Sequence, residues 1–192
     1  MRIHADTFVA LVLGRLGESP SPVSAFAAEA EGLSLCMLIR ELAPQGAAQA
    51  ILDSPYADLD DFSHFGESVG RRPDGMGYVM LPDDFLRLVS FRSSGWESAL
   101  TEAALPDSPR FRLMSSPCPS LRGSRRRPSC RLIRRGVGRV LEFYPCSPDS
   151  HVSEALYIAR PFFDTEGYMR LPGACLAAAV ENTAKLKLES EN

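Results

Sequence analysis

Lysine is nearly missing from this chain: of 21 basic residues, two are lysine and 19 are arginine. That excludes a coat of flexible ammonium groups as the main use of positive charge. The planar arginine fork favours fixed, bidentate pairing with carboxylates or phosphates instead. Histidine is scarce too. His4, His64 and His151 lie far apart in the sequence, none beside a second ligand type at metal spacing. The five cysteines (Cys36, Cys118, Cys130, Cys146, Cys175) are odd in number and never form C-x-x-C, which argues against a zinc site or a disulfide framework. They read as free thiols, with Cys36 and Cys175 acting as small hydrophobes in apolar helical patterns.

Other absences narrow the function classes. No apolar run approaches the roughly 18 residues of a membrane helix. Asp6 stands where a signal peptide needs its apolar core, so the expectation is a protein made and kept in a cytoplasm. Ser93-Ser94-Gly95 lacks the G-x-S-x-G context, and Gly66, Gly70, Gly75 and Gly77 form no phosphate-binding fingerprint. The paired acids Asp60-Asp61 and Asp83-Asp84 suit turn caps better than a metal. Cys130 or Cys146 with His151 is the remaining nucleophile–base option, and ordinary thiols beside a surface histidine explain them more simply. The reading is therefore non-enzymatic: no catalytic residues, no metal, no cofactor.

What is present is a globular composition, 45% hydrophobic and 23% charged over 192 residues, enough for one sizeable core or two small ones. The net charge of −3 conceals an asymmetry: residues 110–139 hold ten arginines and no acid, while the rest carries 11 basic and 24 acidic residues. Within that segment Arg122, Arg125, Arg126, Arg127, Arg131, Arg134 and Arg135 are the candidate contact residues. They could meet an acidic patch on a partner or on another copy, head to tail, track phosphates, or pair with the chain's own acids. No aromatic is interleaved between Leu113 and Val140, which weakens the nucleic-acid option.

The organising stretch is residues 81–92, the densest apolar run in the middle of the chain. Eight residues between Asp84 and Ser93-Ser94-Gly95 suit a strand better than a helix. Phe85, Val89 and Phe91 would face one way and Leu86 and Leu88 the other, as in a strand buried on both faces, with Arg87 and Ser90 needing partners. Around it, residues 3–16 read as a helix and 18–32 as a loop. Ser34 caps a second helix that Pro44 breaks or kinks, and residues 58–77 form a long mobile connection. Strands are expected at 78–80, 129–134, 139–144 and 152–159, with Trp96 to Leu100 as a hairpin partner and Gly136-Val137-Gly138 as a hairpin turn. A small-residue helix at 174–186 should return to the first helices and bury Leu176. The fold class is α+β: a helical part (1–57 and 172–189) and an inserted antiparallel β part (76–171), treated as one folding unit.

Arg15-Leu16-Gly17, the Leu-rich helix, the motif Leu81-Pro82-Asp83-Asp84-Phe85-Leu86-Arg87-Leu88, Trp96, the Arg/Pro loop and Leu141-Glu142-Phe143-Tyr144 resemble phage-derived proteins of Bacteroides-type gut bacteria. More broadly, the helix–sheet–helix order is similar to head-to-tail adaptor and tail-tubular ring proteins of short-tailed phages. This chain departs from them in lacking a clear long C-terminal tail for portal docking. The resemblance implies a prophage-type structural protein without enzymatic activity, partnered by copies of itself in a ring and by portal or tail proteins. It would be cytoplasmic in the bacterial host before assembly and a virion component afterwards. The alternative is a nucleic-acid-binding accessory protein using residues 122–139, for which weak non-specific binding is the minimum expectation.

Overall fold

A computed structural model describes residues 1–17, 27–66, 68–136 and 138–190, with the side chains of 27–34 left aside. The architecture is α+β, and the chain divides into two compact units: Met1–Asp61 with Arg160–Asn192, and the inserted Phe62–Ala159. The insertion was expected over 76–171. It starts earlier and ends earlier, because residues 160–171 return to pair with the N-terminus.

That pairing opens the helical unit. β1 (Arg2–His4) runs antiparallel to β9 (Tyr168–Arg170), and the terminal ammonium donates to the Leu171 carbonyl at 2.8 Å. Ile3, expected on a helix, therefore belongs to a strand. The partner lies more than 160 residues away, out of reach of any local pattern. α1 (Ala5–Leu16) follows at once, with the His4 ring nitrogen accepting the Asp6 N–H at its start and Gly17 in the left-handed region at its end. α2 (Ala27–Asp53) is one helix, continuous through Pro44. Of the break or kink expected at Pro44, the break does not occur, and the loop expected over 18–32 is already helical from Ala27, while residues 18–26 lie outside the described residues. One proline removes one backbone bond. The α2 stripe of Ile39, Ala43, Ala47, Ala50 and Ile51, all buried, supplies the tertiary packing that keeps the helix whole.

The counterpart is α5 (Leu176–Ser190), entered through a 3-10 turn at Gly173–Cys175. It packs on both α2 and α1, as the small-residue pattern implied. A Cβ on Gly46 would come within 2.7 Å of the Thr183 backbone nitrogen, so α2 and α5 approach at a distance only glycine permits there. Leu176, expected to be buried, is only half-buried; Cys175, Ala179 and Thr183 take the inward positions. The helix begins two residues later than its pattern suggested, after the 3-10 turn in which Cys175 is the buried residue.

The β unit consists of two antiparallel sheets facing each other. One has β5 (Phe85–Ser93) beside β8 (Val152–Ala159), which pairs in turn with the two-residue β2 (Ser63–His64). The other has the order β3 (Gly70–Arg71), β4 (Gly77–Met80), β7 (Gly138–Tyr144), β6 (Ser129–Arg135). β2 and β3 fall inside the connection expected to be mobile. Each is too short to show in the sequence and exists because a neighbouring strand pairs with it, β8 with β2 and β4 with β3. Between the sheets lie Phe65, Val79, Phe85, Leu88, Phe91, Trp96, Leu141, Phe143 and Tyr157. The Phe91 and Phe143 rings are 5.0 Å apart, and the Trp96 indole donates to the Pro145 carbonyl at 2.9 Å.

β5 is the strand expected from residues 81–92, but its faces differ from the expectation. Register shifts at Phe85/Arg87, Leu88/Ser90 and Arg92/Ser93 reset the alternation, so Phe85, Leu88, Phe91 and Ser93 are all buried. Bulges, which add an unpaired residue and twist the strand, explain the three-residue spacing. Leu86 and Val89 are only half-buried, so β5 is not enclosed on both faces. Pro82, Asp83 and Asp84 form the turn before it, closed by the Phe85 N–H on the Pro82 carbonyl; Leu81 is buried, and the Asp84 carboxylate accepts the Tyr157 hydroxyl at 2.9 Å. Arg87 is half-buried, and Ser90 donates to Glu154. Trp96 to Leu100 forms no strand, yet Leu100 exchanges both backbone bonds with Phe91, the one rung of the expected pairing.

Candidate functional site

The outer face of the four-stranded sheet carries Tyr78, Arg131 and Glu142 in one register row, Tyr78 opposite Glu142 and Glu142 opposite Arg131. A short segment lies over it: α3 (Pro109–Leu113), started by Ser108, and α4 (Pro119–Arg122). Met114, 2% exposed, is its apolar anchor. Beneath it Glu142 is almost wholly enclosed, and an enclosed carboxylate must be paired. Its Oε2 accepts from Arg131 Nε at 3.0 Å and Nη2 at 2.8 Å, and its Oε1 from Arg72 at 3.2 Å. Arg131 also donates to the Phe111 carbonyl at 3.1 Å and Ser115 Oγ at 2.6 Å, with its guanidinium 4.8 Å over the Phe111 ring. Arg122, equally buried, donates to the Ser116 carbonyl at 2.6 Å and the Asp74 carbonyl at 2.9 Å and pairs with the Asp74 carboxylate at 3.3 Å. Arg110 donates to the Pro128 carbonyl. The segment is thus fastened to the sheet by arginine forks, those of Arg122 and Arg131 satisfied at several corners.

Two of the seven candidate contact arginines are therefore internal. Arg122 and Arg131 serve their own chain and present almost no surface to a partner, because their forks close on Asp74 and Glu142. The other five are exposed. Arg125, Arg126 and Arg127 sit in the loop before β6. The Arg125 carbonyl accepts the Glu97 N–H, Arg126 pairs with Glu97 at 3.1 Å, and the Arg127 N–H donates to Ser124 Oγ. Arg134 and Arg135 are at the far end of the same strand, a separation of roughly 20 Å at strand rise. Arg135 lies 4.5 Å over the Tyr78 ring. Arg125, Arg127 and Arg134 have no ion-pair partner among the described residues. What is contiguous in sequence is thus three separate groups in space.

Sequence reasoning missed the Glu142 centre. Arg131 and Glu142 flank a hairpin turn at opposite positions, and that spacing across Gly136 was the available signal. It also missed that His64 and His151 line one depression of about 520 Å³, with Arg71 and Glu154. Among the described residues no group of three His, Cys, Asp or Glu side chains could hold a metal, and no helix is long and apolar enough to cross a membrane. Burial pushes the Cys130 thiol up to about 12, opposite to what a nucleophile requires, and Cys146 is buried beside the Ser147 carbonyl. Cys118 is exposed, and its pKa is lowered mainly by the Ser120 hydroxyl.

Comparison with protein families finds no family model that matches the chain, and comparison with curated proteins finds none that matches it.

Proposed function

We propose that this chain is a non-enzymatic structural protein that assembles with copies of itself head to tail, in the manner of a phage head–tail connector or tail-tube ring. The observation that carries the reading is the opposite charge of its two units. The β unit holds 14 basic and ten acidic residues, the helical unit seven basic and 14 acidic. With Arg122 and Arg131 already paired inside, Arg125, Arg127 and Arg134 are exposed positive charges of the β unit that have no ion-pair partner among the described residues. A basic unit meeting an acidic one on the next copy is a heterologous contact, the kind that closes rings, and complementary charge speeds and orients such encounters. The phage setting, with portal or tail proteins as further partners and the virion as destination, is supported by the sequence resemblance alone.

The test is sedimentation at high protein concentration in low and physiological salt, for wild type and for the Arg125→Ser/Arg126→Ser/Arg127→Ser variant. Wild type should form oligomers that weaken with salt, and the variant should associate at least about tenfold less well. The same proteins titrated with duplex and single-stranded DNA should bind no better than the non-specific range of roughly 10⁻⁴–10⁻⁶ M. Sub-micromolar DNA binding at physiological salt, lost in the variant, would replace this reading with that of a nucleic-acid-binding accessory protein.

A further inference from the structure

Beside Arg125 the β unit encloses a small pocket of about 140 Å³. Three segments wall it: Ser94 and Trp96 after β5, Arg125 before β6, and Tyr144 to Ser150 between β7 and β8. Each is pinned in place. The Glu97 N–H reaches the Arg125 carbonyl at 3.0 Å, the Trp96 indole reaches the Pro145 carbonyl, and the Ser150 N–H closes a turn on the Ser147 carbonyl at 3.0 Å. The chemistry of the wall is one-sided, because no carboxylate lines it. Asp74 and Glu97, next in the chain to lining residues, are already paired with Arg122 and Arg126, and exposed Asp149 lies outside the lining. Hydrogen-bond accounting gives the same sign. The Arg125 guanidinium has no acceptor among the described residues. Ser94 Oγ accepts the His151 N–H at 3.0 Å, which leaves its own hydrogen over. Ser150 Oγ, on a residue only 2% exposed, accepts the Ser147 N–H at 2.9 Å. The Ser147 and Ser150 hydroxyls are 2.8 Å apart, so one of their hydrogens bridges them and the other is left over.

We infer that this pocket binds a phosphoryl oxyanion, as inorganic phosphate or as the terminal group of a monoester. A wall with donors in surplus and no acid calls for a ligand made of acceptors and carrying negative charge. The guanidinium fork matches two phosphate oxygens, and Ser94 and the Ser147–Ser150 pair supply donors for the others. A carboxylate, with only two oxygens, would leave a donor group unmatched. Size agrees: the volume is that of roughly four or five waters at about 30 Å³ each, enough for a phosphoryl group and too small for a larger group to enter with it. Because the wall is already held by its own bonds, binding orders little of the chain, which keeps its cost low. The inference goes beyond the head-to-tail reading and shares with it only Arg125.

Trp96 is the only tryptophan of the chain and lines the pocket, which gives a direct test. Inorganic phosphate, titrated at constant ionic strength against chloride, should change its emission saturably in the millimolar range or below. Broadening of the phosphate line in phosphorus NMR reads the same binding without the tryptophan. Glycerol phosphate, run in parallel, separates the two sources: the ester binding more tightly assigns a monoester, the free ion binding more tightly assigns inorganic phosphate. Arg125→Ala should weaken binding at least about tenfold, the loss expected of a charge-assisted hydrogen bond, and Ser147→Ala roughly threefold. Arg127→Ala, in the same loop but outside the pocket, should leave binding unchanged, and circular dichroism should be unchanged in all three variants. The absence of saturation in both signals, undiminished binding in Arg125→Ala, an equal loss in Arg127→Ala, or acetate binding as tightly as phosphate would each overturn the inference. Oligomers that form in sedimentation while phosphate fails to bind would overturn it and leave the head-to-tail reading intact.

Discussion

Arg131 and Arg126 stand five residues apart, carry the same group, and do different things. Arg131 is enclosed between sheet and covering segment and closes on Glu142 through two nitrogens. Arg126 reaches one carboxylate in open water. The first is a fastening whose removal strands a partner. The second exchanges one set of water contacts for a weakly favourable pair. A run of arginines in a sequence thus states how much charge exists, and the burial of each acid opposite decides how much remains available to anything else.

The sharpest way to break this contrast is Glu142→Ala. If Arg131 truly depends on Glu142, the variant leaves a guanidinium uncompensated in an enclosed site, and stability measured by denaturant titration should fall by about 3–5 kcal/mol. A double change, Glu142→Leu with Arg131→Met, removes both charges and should recover much of that loss, because an apolar pair of similar volume avoids the desolvation penalty. A single variant no worse than a surface substitution would erase the distinction between the two arginines.

The same contrast between enclosed and free positions holds for apolar side chains in the helical unit. Ile51, 1% exposed on α2, should lose about 2–5 kcal/mol on truncation to Ala. Leu176, expected from its helical pattern to be the core residue, should lose on the order of 1 kcal/mol, typical of partly buried positions. Equal losses at the two sites would restore the sequence expectation.

That pair shows where the sequence was legible. The strands at residues 129–135, 138–144 and 152–159 and the helix opposite the N-terminal helices could be read because each has a long local period. The sheet edges β2 and β3 and the terminal ribbon β1–β9 could not, since two or three residues carry no period and their partners lie far along the chain. The phase of β5 was lost for another reason: its bulges shift the apolar spacing from two to three, so alternation placed Leu88 on the wrong face. At the candidate site the arginines were visible as residues. Their division into fastenings and free charges was not, because it depends on the segment 109–122 lying over Glu142, and no apolar pattern in five- and four-residue helices announces that.

Enclosure also leaves a pH signature. Burial raises the Cys130 thiol from about 9.0 to about 12. The folded state holds this proton after the unfolded chain has released it, yet the stability so affected is full below about pH 9 and falls as pH rises towards 12, because the unfolded state gains by ionising first. Near pH 10 the loss should be on the order of 1 kcal/mol relative to neutral pH. Cys130→Ala should flatten that alkaline slope whatever it does to stability at pH 7. Thiol labelling of the native protein should reach exposed Cys118 first and Cys130 and Cys175 last.

The smallest expected effect is the most discriminating. Changing Arg125, Arg126 and Arg127 together to Ser removes three positive charges from a protein whose stability depends on arginine elsewhere. The three side chains are exposed, and the bonds that shape the loop, Glu97 N–H to the Arg125 carbonyl and Arg127 N–H to Ser124 Oγ, come from the backbone and survive the change. Only the Arg126–Glu97 pair is lost, at a site where such pairs are worth about 0.2–1 kcal/mol and are screened by salt. The denaturation midpoint should therefore move by no more than an ordinary surface substitution would move it, within about 0.5 kcal/mol for each site. Arg131→Ser alone should exceed all three combined. A triple variant that unfolds as readily as Glu142→Ala would mean that the loop arginines are fastenings as well, and the positive charge assigned to partners would have to be sought at Arg134 and Arg135.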